Sequence, residues 1–257
     1  LCEELKLPHH VEKIPFDAKF RFSPEWLAKN PVGKVPVLED DELVMFESGA
    51  MVQYILDRYG EGRLQPAVGT AEYAIFLQWL WFAEATFARP LGEIVNHRRA
   101  FDPELPDVVQ EMQDRARLCT SAVDKVLKNR EYIAGEFSAA DIMMGYTLML
   151  AEMLAPWENC PDIDRYLASL KERGAARKAL SDSVYLLAFA SLRASLSVVA
   201  VMGASLIYWG SHPRNLILHV PSCPSQGAVT PLAAGKTLTR EGVCLHTFVT
   251  APKQPRC

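Results

Sequence analysis

Apolar residues alternate over short stretches as far as residue 60 and then recur at helical spacing from Ala71 to Leu180, so two folding styles meet in one chain. Leu1, Cys2, Leu5 and Leu7, set around Glu3, Glu4 and Lys6, read as the last turns of an amphipathic helix stopped by Pro8. Val11 to Phe16 alternates weakly and predicts a short strand. Ser23-Pro24-Glu25 opens a brief helix through Lys29, with Ser at the cap and Pro at the first helical position. Val35 to Leu38 and Leu43 to Phe46 predict an antiparallel hairpin joined by the acidic turn Glu39-Asp40-Asp41-Glu42. A helix over 49–59 follows, with Gly60 as its stop.

Past the Gly60–Pro66 loop the period lengthens, and Ala71 to Leu91, Pro106 to Asn129, Ser138 to Leu154 and Asp162 to Ala179 predict an all-α block. Its first helix carries Tyr73, Phe76, Trp79, Trp81, Phe82 and Phe87, which read mainly as core, with one or two left to face a cleft. Residues 181–257 change style again. Val184 to Trp209 is charged only at Arg193, and the remainder is rich in Pro, Ser, Thr and Gly without a sustained period, which predicts a poorly ordered tail. Charge marks the same boundary: 181–257 holds 6 Lys and Arg against 2 Asp and Glu, leaving 21 against 29 for 1–180.

The net charge of −4 and pI near 5.9 give no basic surface for a nucleic acid. Six cysteines at 2, 119, 160, 223, 244 and 257 lack the paired short spacing of a zinc or CxxC site, so free thiols in a reducing, cytoplasmic setting and no metal are expected. Leu1-Cys2-Glu3-Glu4 is no signal peptide, and the absence of an initial Met suggests that a natural start lies upstream. Ala194 to Ser211 has the length of a short membrane span, but serines at 195, 197, 205 and 211 lower its hydropathy, and a membrane partner is not expected.

The most informative residues are Asn30-Pro31-Val32-Gly33-Lys34-Val35-Pro36-Val37-Leu38 and, one hairpin later, Phe46-Glu47-Ser48-Gly49-Ala50. Pro36 would break a ladder in mid-strand. At the first residue of a strand, behind a cis bond, it instead turns the Val35 backbone toward a ligand. Glu47 and Ser48 stand where strand gives way to helix, and a helix N-terminus with its free N–H groups seats a small carboxylate.

These two segments, together with Phe137-Ser138-Ala139-Ala140-Asp141 opening a hydrophobic helix, closely resemble the soluble glutathione transferases of bacterial and fungal type over residues 1–180. The resemblance implies an α/β thioredoxin-like domain over 1–66, with its first strand missing, an all-α bundle over 67–180 and a tail outside the family over 181–257. It also implies that Val35, with Pro36 in cis, pairs with the cysteinyl part of glutathione, that Glu47 and Ser48 hold the γ-glutamyl amine and carboxylate, and that Lys34 lies near the glycyl carboxylate. Glutathione is then the co-substrate, a small electrophile the second substrate, and a homodimer built on the 49–59 helix the default assembly. Ser138 and Asp141 form a capping box with a structural role.

Family members carry a thiol-activating Ser, Tyr or Cys just after their first strand, a place ahead of Leu1, so no catalytic residue is assigned within the chain. Cys2 is a weak substitute, because its helical position beside Leu1 and Leu5 reads as burial. A sheet lacking its first strand is expected to leave an open edge and exposed apolar surface. Two functions compete: conjugation of the glutathione thiolate to electrophiles, and a non-catalytic binding or scaffold role that keeps the fold without the activating residue.

Overall fold

Residues 1–15, 18–182 and 215–219 are described by a computed structural model, all within one compact unit, Leu1–Ser222. The chain opens with helix α1 (Cys2–Leu5), strand β1 (His10–Ile14), α2 (Ala18–Arg21) and α3 (Pro24–Lys29). Ser23 caps α3 by accepting from the Trp26 N–H, with Pro24 at the first helical position. Strands β2 (Val37–Asp40) and β3 (Leu43–Met45) form the hairpin, in the register Leu38 to Met45, Glu39 to Val44 and Asp40 to Leu43. The expected four-residue acidic turn is therefore tighter. Glu39 and Asp40 extend β2, and the reversal is made by Asp41, in the left-handed region at φ 52, with Glu42.

Helix α4 (Ser48–Tyr59) follows and closes at Gly60. Alternation along β2 sends its side chains to opposite layers. Leu38 packs with Cys2, Leu5, Met51, Ile55 and Tyr59 on the α1 and α4 side, while Val37 packs with Ile14 and Trp26 on the α3 side. Cys2 is thus buried, and burial raises its thiol pKa, as the sequence reading of a packed cysteine expects.

The sheet differs most from expectation at its centre. Strand β4 (Asn215–His219) lies between β1 and β2 in a four-stranded sheet of order β1-β4-β2-β3, antiparallel to β1 and parallel to β2. Between β1 and β2 there is accordingly no open edge, and part of the stretch expected to be unstructured is built into the sheet. The other residues of 183–257, including the candidate span 194–211, lie outside the described residues. Among the described residues no helix is long and apolar enough to cross a membrane.

From Ala71 to Asp182 no strand is formed among the described residues, apart from an isolated bridge between Tyr132 and Gly135. The expected first helix is three pieces: α5 (Ala71–Trp81), a π-helical segment (Phe82–Phe87) and α6 (Ala88–Ala100). Pro90 explains the interruption, because it has no N–H to return to the carbonyl four residues back and its ring crowds that turn. Next come α7 (Pro106–Leu127) and α8 (Ala139–Leu154). The last expected helix is two, α9 (Pro161–Glu172) and α10 (Gly174–Asp182), parted at Arg173 in extended backbone.

Helix α8 is apolar nearly all round, so it runs through the middle of this body. Gly145 lets α9 approach, since a Cβ there would lie 2.9 Å from Leu170 Cδ1. Asp141 anchors its start. Fully buried, its carboxylate accepts from Ile133 N–H (2.9 Å), Ser138 N–H (2.8 Å), Ser138 hydroxyl (3.1 Å) and Tyr166 hydroxyl (2.7 Å). Burial nonetheless raises its pKa, against the pull of those donors.

Candidate glutathione site

The loop before β2 is held from within. Asn30, almost fully buried, donates through Nδ2 to the Lys34 carbonyl (2.8 Å), accepts through Oδ1 from Val32 N–H (3.2 Å), and its carbonyl accepts from Gly33 N–H (2.9 Å). Gly33 sits at φ 61, where a Cβ would come within 3.0 Å of the Arg21 carbonyl, so glycine is required there. Arg21 Nε donates to the Gly33 carbonyl at 2.8 Å. With its own polar groups satisfied this way, the loop delivers Lys34 exposed and Val35 half-buried, joined to Pro36 by a cis bond.

Glu47 and Ser48 stand at the other strand of the hairpin. The register that pairs Leu38 with Met45 leads Val35-Pro36 and Glu47-Ser48 toward the same end of the ladder. Glu47 caps α4, its carbonyl accepting from Met51 N–H at 2.9 Å, yet its backbone lies at φ 76. Holding a glutamate in that region costs about 1 kcal/mol or more, a kind of strain that clusters at ligand sites. It leaves the carboxylate exposed and the first N–H groups of α4 uncovered by it, since no side-chain cap bond forms.

Sequence reading did not single out Glu84. Carried on the π-helical segment, its Oε1 accepts from the Ser48 hydroxyl at 3.0 Å. The segment is itself braced by Thr147, whose hydroxyl donates to the Ala83 carbonyl at 3.3 Å. Nearby, the Trp81 ring lies so close to Gly49 that a Cβ there would be 3.0 Å from it, and 43% of Trp81 remains exposed. Among the aromatics of these helical pieces Trp81 is the exposed one, while Phe76, Trp79 and Phe87 are core. The Tyr146 hydroxyl is pushed up to about 12 by desolvation at that end of the side chain, with the Glu84 charge adding to it. No signal in the sequence marks Glu84, because an interrupted helix turns residues away from the faces a 3.6 period assigns.

A second buried carboxylate ties α4 to the hairpin. Asp40 Oδ2 accepts from the hydroxyls of Tyr54 and Tyr59, each at 2.6 Å, and lies 3.4 Å from Arg58 Nε. Among the described residues no cluster of metal-ligating side chains occurs.

The family model for the glutathione S-transferase N-terminal domain matches residues 1–57. Glutathione S-transferase 4 of Zea mays is 32% identical over 169 residues, which cover 60% of this chain and 73% of that relative. The chain belongs to the glutathione S-transferase family. GstB of Escherichia coli, another member, is 29% identical over 189 residues, 68% of this chain and 87% of its own length. Among solved structures, the glutathione transferase URE2P8 of Phanerochaete chrysosporium, crystallised with oxidized glutathione, is 25% identical and covers 72% of this chain and 88% of its own, with a TM-score of 0.64. The family fold, a small thioredoxin-like sheet domain followed by a helical domain, is the one seen in this chain.

Proposed function

We infer that this chain binds glutathione at the Val35 edge and the α4 N-terminus and conjugates its thiolate to small electrophiles. The observation that carries the reading is the hairpin register, which leads the Lys34-Val35-Pro36 backbone and the Glu47-Ser48 helix start to one end of the ladder. A tripeptide with two carboxylates and one ammonium suits an extended edge, an anion seat and a carboxylate near it. In this reading Val35 pairs with the cysteinyl backbone, Ser48 and the α4 N–H groups take the γ-glutamyl carboxylate, and Glu47 takes its ammonium. Lys34, exposed, serves the glycyl carboxylate. Glu84 adds a second partner for the ammonium, and its bond to Ser48 must loosen as the ligand carboxylate arrives. The electrophile enters the opening lined by Trp81, and the protein works as a cytoplasmic homodimer through α4 and α5. We read the chain as a glutathione-binding domain over 1–66, a helical domain over 67–180 and a segment outside the family over 181–257.

Immobilised glutathione should retain the protein, and Ser48→Ala or Glu47→Ala should weaken retention by about 1–3 kcal/mol, the usual effect of unpairing a charged group. Conjugation of a chlorodinitrobenzene-type electrophile by the 257-residue polypeptide should be slow. No thiol-activating Ser, Tyr or Cys is assigned among the described residues, and removing one such donor typically lowers rate by about 10²–10³. Retention with no turnover at all would assign the protein to the non-catalytic binding role. Retention untouched by both substitutions would remove the site. Sedimentation giving a monomer at micromolar concentration would remove the dimer alone.

A further inference from the structure

Helix α7 begins without a cap of its own. Its N-cap residue is Leu105, whose side chain accepts no hydrogen bond, and Pro106 follows at the first helical position. A side chain of the preceding helix ties down this start instead. His97, in the last turn of α6 and only 7% exposed, accepts through Nε2 from the Leu105 N–H at 3.0 Å. The Leu105 carbonyl in turn accepts from Val108 N–H (3.2 Å) and Val109 N–H (3.1 Å), so the bond to His97 lies directly under the first turn of α7. Val109 belongs to the core of the helical body.

The proton on the ring is placed by its partner. A backbone N–H can only donate, so Nε2 holds a lone pair and the ring N–H is Nδ1. An imidazolium has no acceptor left, and forming it sets two N–H groups against each other in a buried place. The charged ring need not leave. It stacks on Phe101 with centroids 4.6 Å apart and planes at 24°, and an aromatic face and the C-terminal end of a helix both favour a cation. Protonation therefore separates two contacts that the neutral ring makes together: it keeps Phe101 and releases Leu105.

Charged groups on the surrounding elements are engaged elsewhere. On α6, Glu93 pairs with Arg89 (3.0 Å), and Arg98 reaches Glu104 (2.8 Å) across the connection without offering the Leu105 N–H an acceptor. On α7, Glu111 pairs with Arg115. On α8, which also packs on α6, Asp141 is held by its four donors and Glu152 by Lys171 (3.0 Å). Asp102 and Asp107 are the other acids of residues 101–107, and attraction of the imidazolium to either adds to the release.

We propose that His97 is a proton-operated catch on the start of α7: the neutral ring holds Leu105, and the protonated ring frees residues 101–105 and loosens the first turn of α7 over the core at Val109. The catch belongs to the helical body and is independent of the glutathione reading.

Amide exchange of the full chain, corrected for the effect of pH on the exchange chemistry itself, tests this between about pH 8 and about pH 5, the range in which histidine changes charge. Protection of the Leu105 and Val109 amides should fall at least about tenfold toward the acid end, while amides within α8 keep theirs. His97→Gln places an oxygen that accepts at every pH, so its protection should not respond to pH, and His97→Phe should lose protection at both ends. Unchanged Leu105 protection in the parent, or an acid loss of the same size in His97→Gln, overturns the proposal. Should His97→Gln fail to fold, nitrogen NMR of the parent ring decides. Coupling across the hydrogen bond between Leu105 N–H and Nε2 is expected at the alkaline end and should vanish as the ring takes up its proton, with Leu105 protection falling over the same range. A ring that protonates while Leu105 stays protected, or that carries its proton on Nε2 at the alkaline end, overturns it.

Discussion

The helical body and the sheet solve burial in opposite ways. The body draws nearly all of its core from the run of chain Phe76 to Leu170, with Leu56 of α4 joining it. The sheet takes three strands from residues 10–45 and its second position from residues 215–219. Their buried carboxylates differ in the same sense. Asp141 takes three of its four donors from residues 133–138 and the fourth from the Tyr166 hydroxyl, whereas Asp40 relies on two tyrosine hydroxyls and a half-exposed arginine, all from α4. Local contacts make the body a unit that propagates along the sequence; the sheet must wait for distant pieces. The glutathione site proposed above sits on the less self-sufficient side.

Asp141→Ala should break the body most severely. It strands two buried backbone N–H groups and the Tyr166 hydroxyl, and should lower stability by about 3 kcal/mol or more, measured by urea unfolding. Asp40→Ala should cost less, about 1–2 kcal/mol, because Tyr54 keeps access to water. An equal loss in the two variants would erase the contrast between the regions.

Gly33→Ala acts on the sheet side alone. A positive φ and a 3.0 Å approach to the Arg21 carbonyl should cost about 1–2 kcal/mol and shift the Val35 edge, so glutathione retention should fall with it. A variant as stable as the parent would mean that the loop relaxes freely.

Alkali should separate the regions more gently. In the folded chain the Tyr54 pKa is raised from 10 to about 12, first by desolvation and then by its bond to Asp40. A raised folded pKa stabilises fully below the unfolded value and is lost as pH climbs through the folded one. Stability conferred by the α4 to hairpin tie should therefore decline between pH 10 and about 12, read by phenolate absorbance alongside thermal unfolding. Smallest of all, Arg89→Ala removes an exposed partner of Glu93 at 3.0 Å and should change stability by less than about 0.5 kcal/mol.

Much of this was legible residue by residue. Ser23 and Pro24 announced α3, Gly60 the end of α4, and Ser138 with Asp141 the start of α8, because caps act over three or four residues and leave a local signature. The Val35-Pro36 turn and the α4 start at Ser48 were equally plain, and with them the family. Three features were not. The π-helical segment follows from Pro90, but which residue it turns toward Ser48 depends on how α8 and α4 pack around it, so Glu84 had no mark of its own. The break at Arg173 is set by contacts with distant partners: its guanidinium binds Glu4 through two bonds of 2.7 and 3.0 Å and lies over the Phe137 ring. β4 is the extreme case, since a run of three apolar residues such as Leu216 to Leu218 is common and only pairing with β1 and β2 makes this stretch a strand. Sequence by itself therefore determined most helix starts, the hairpin and the Val35-Pro36 and Ser48 segments that carry the family resemblance, all encoded by spacing along the chain. Tertiary structure alone decided what lies between β1 and β2 and what faces Ser48, because backbone pairing and side-chain contact across long separations carry no period that a linear reading can detect.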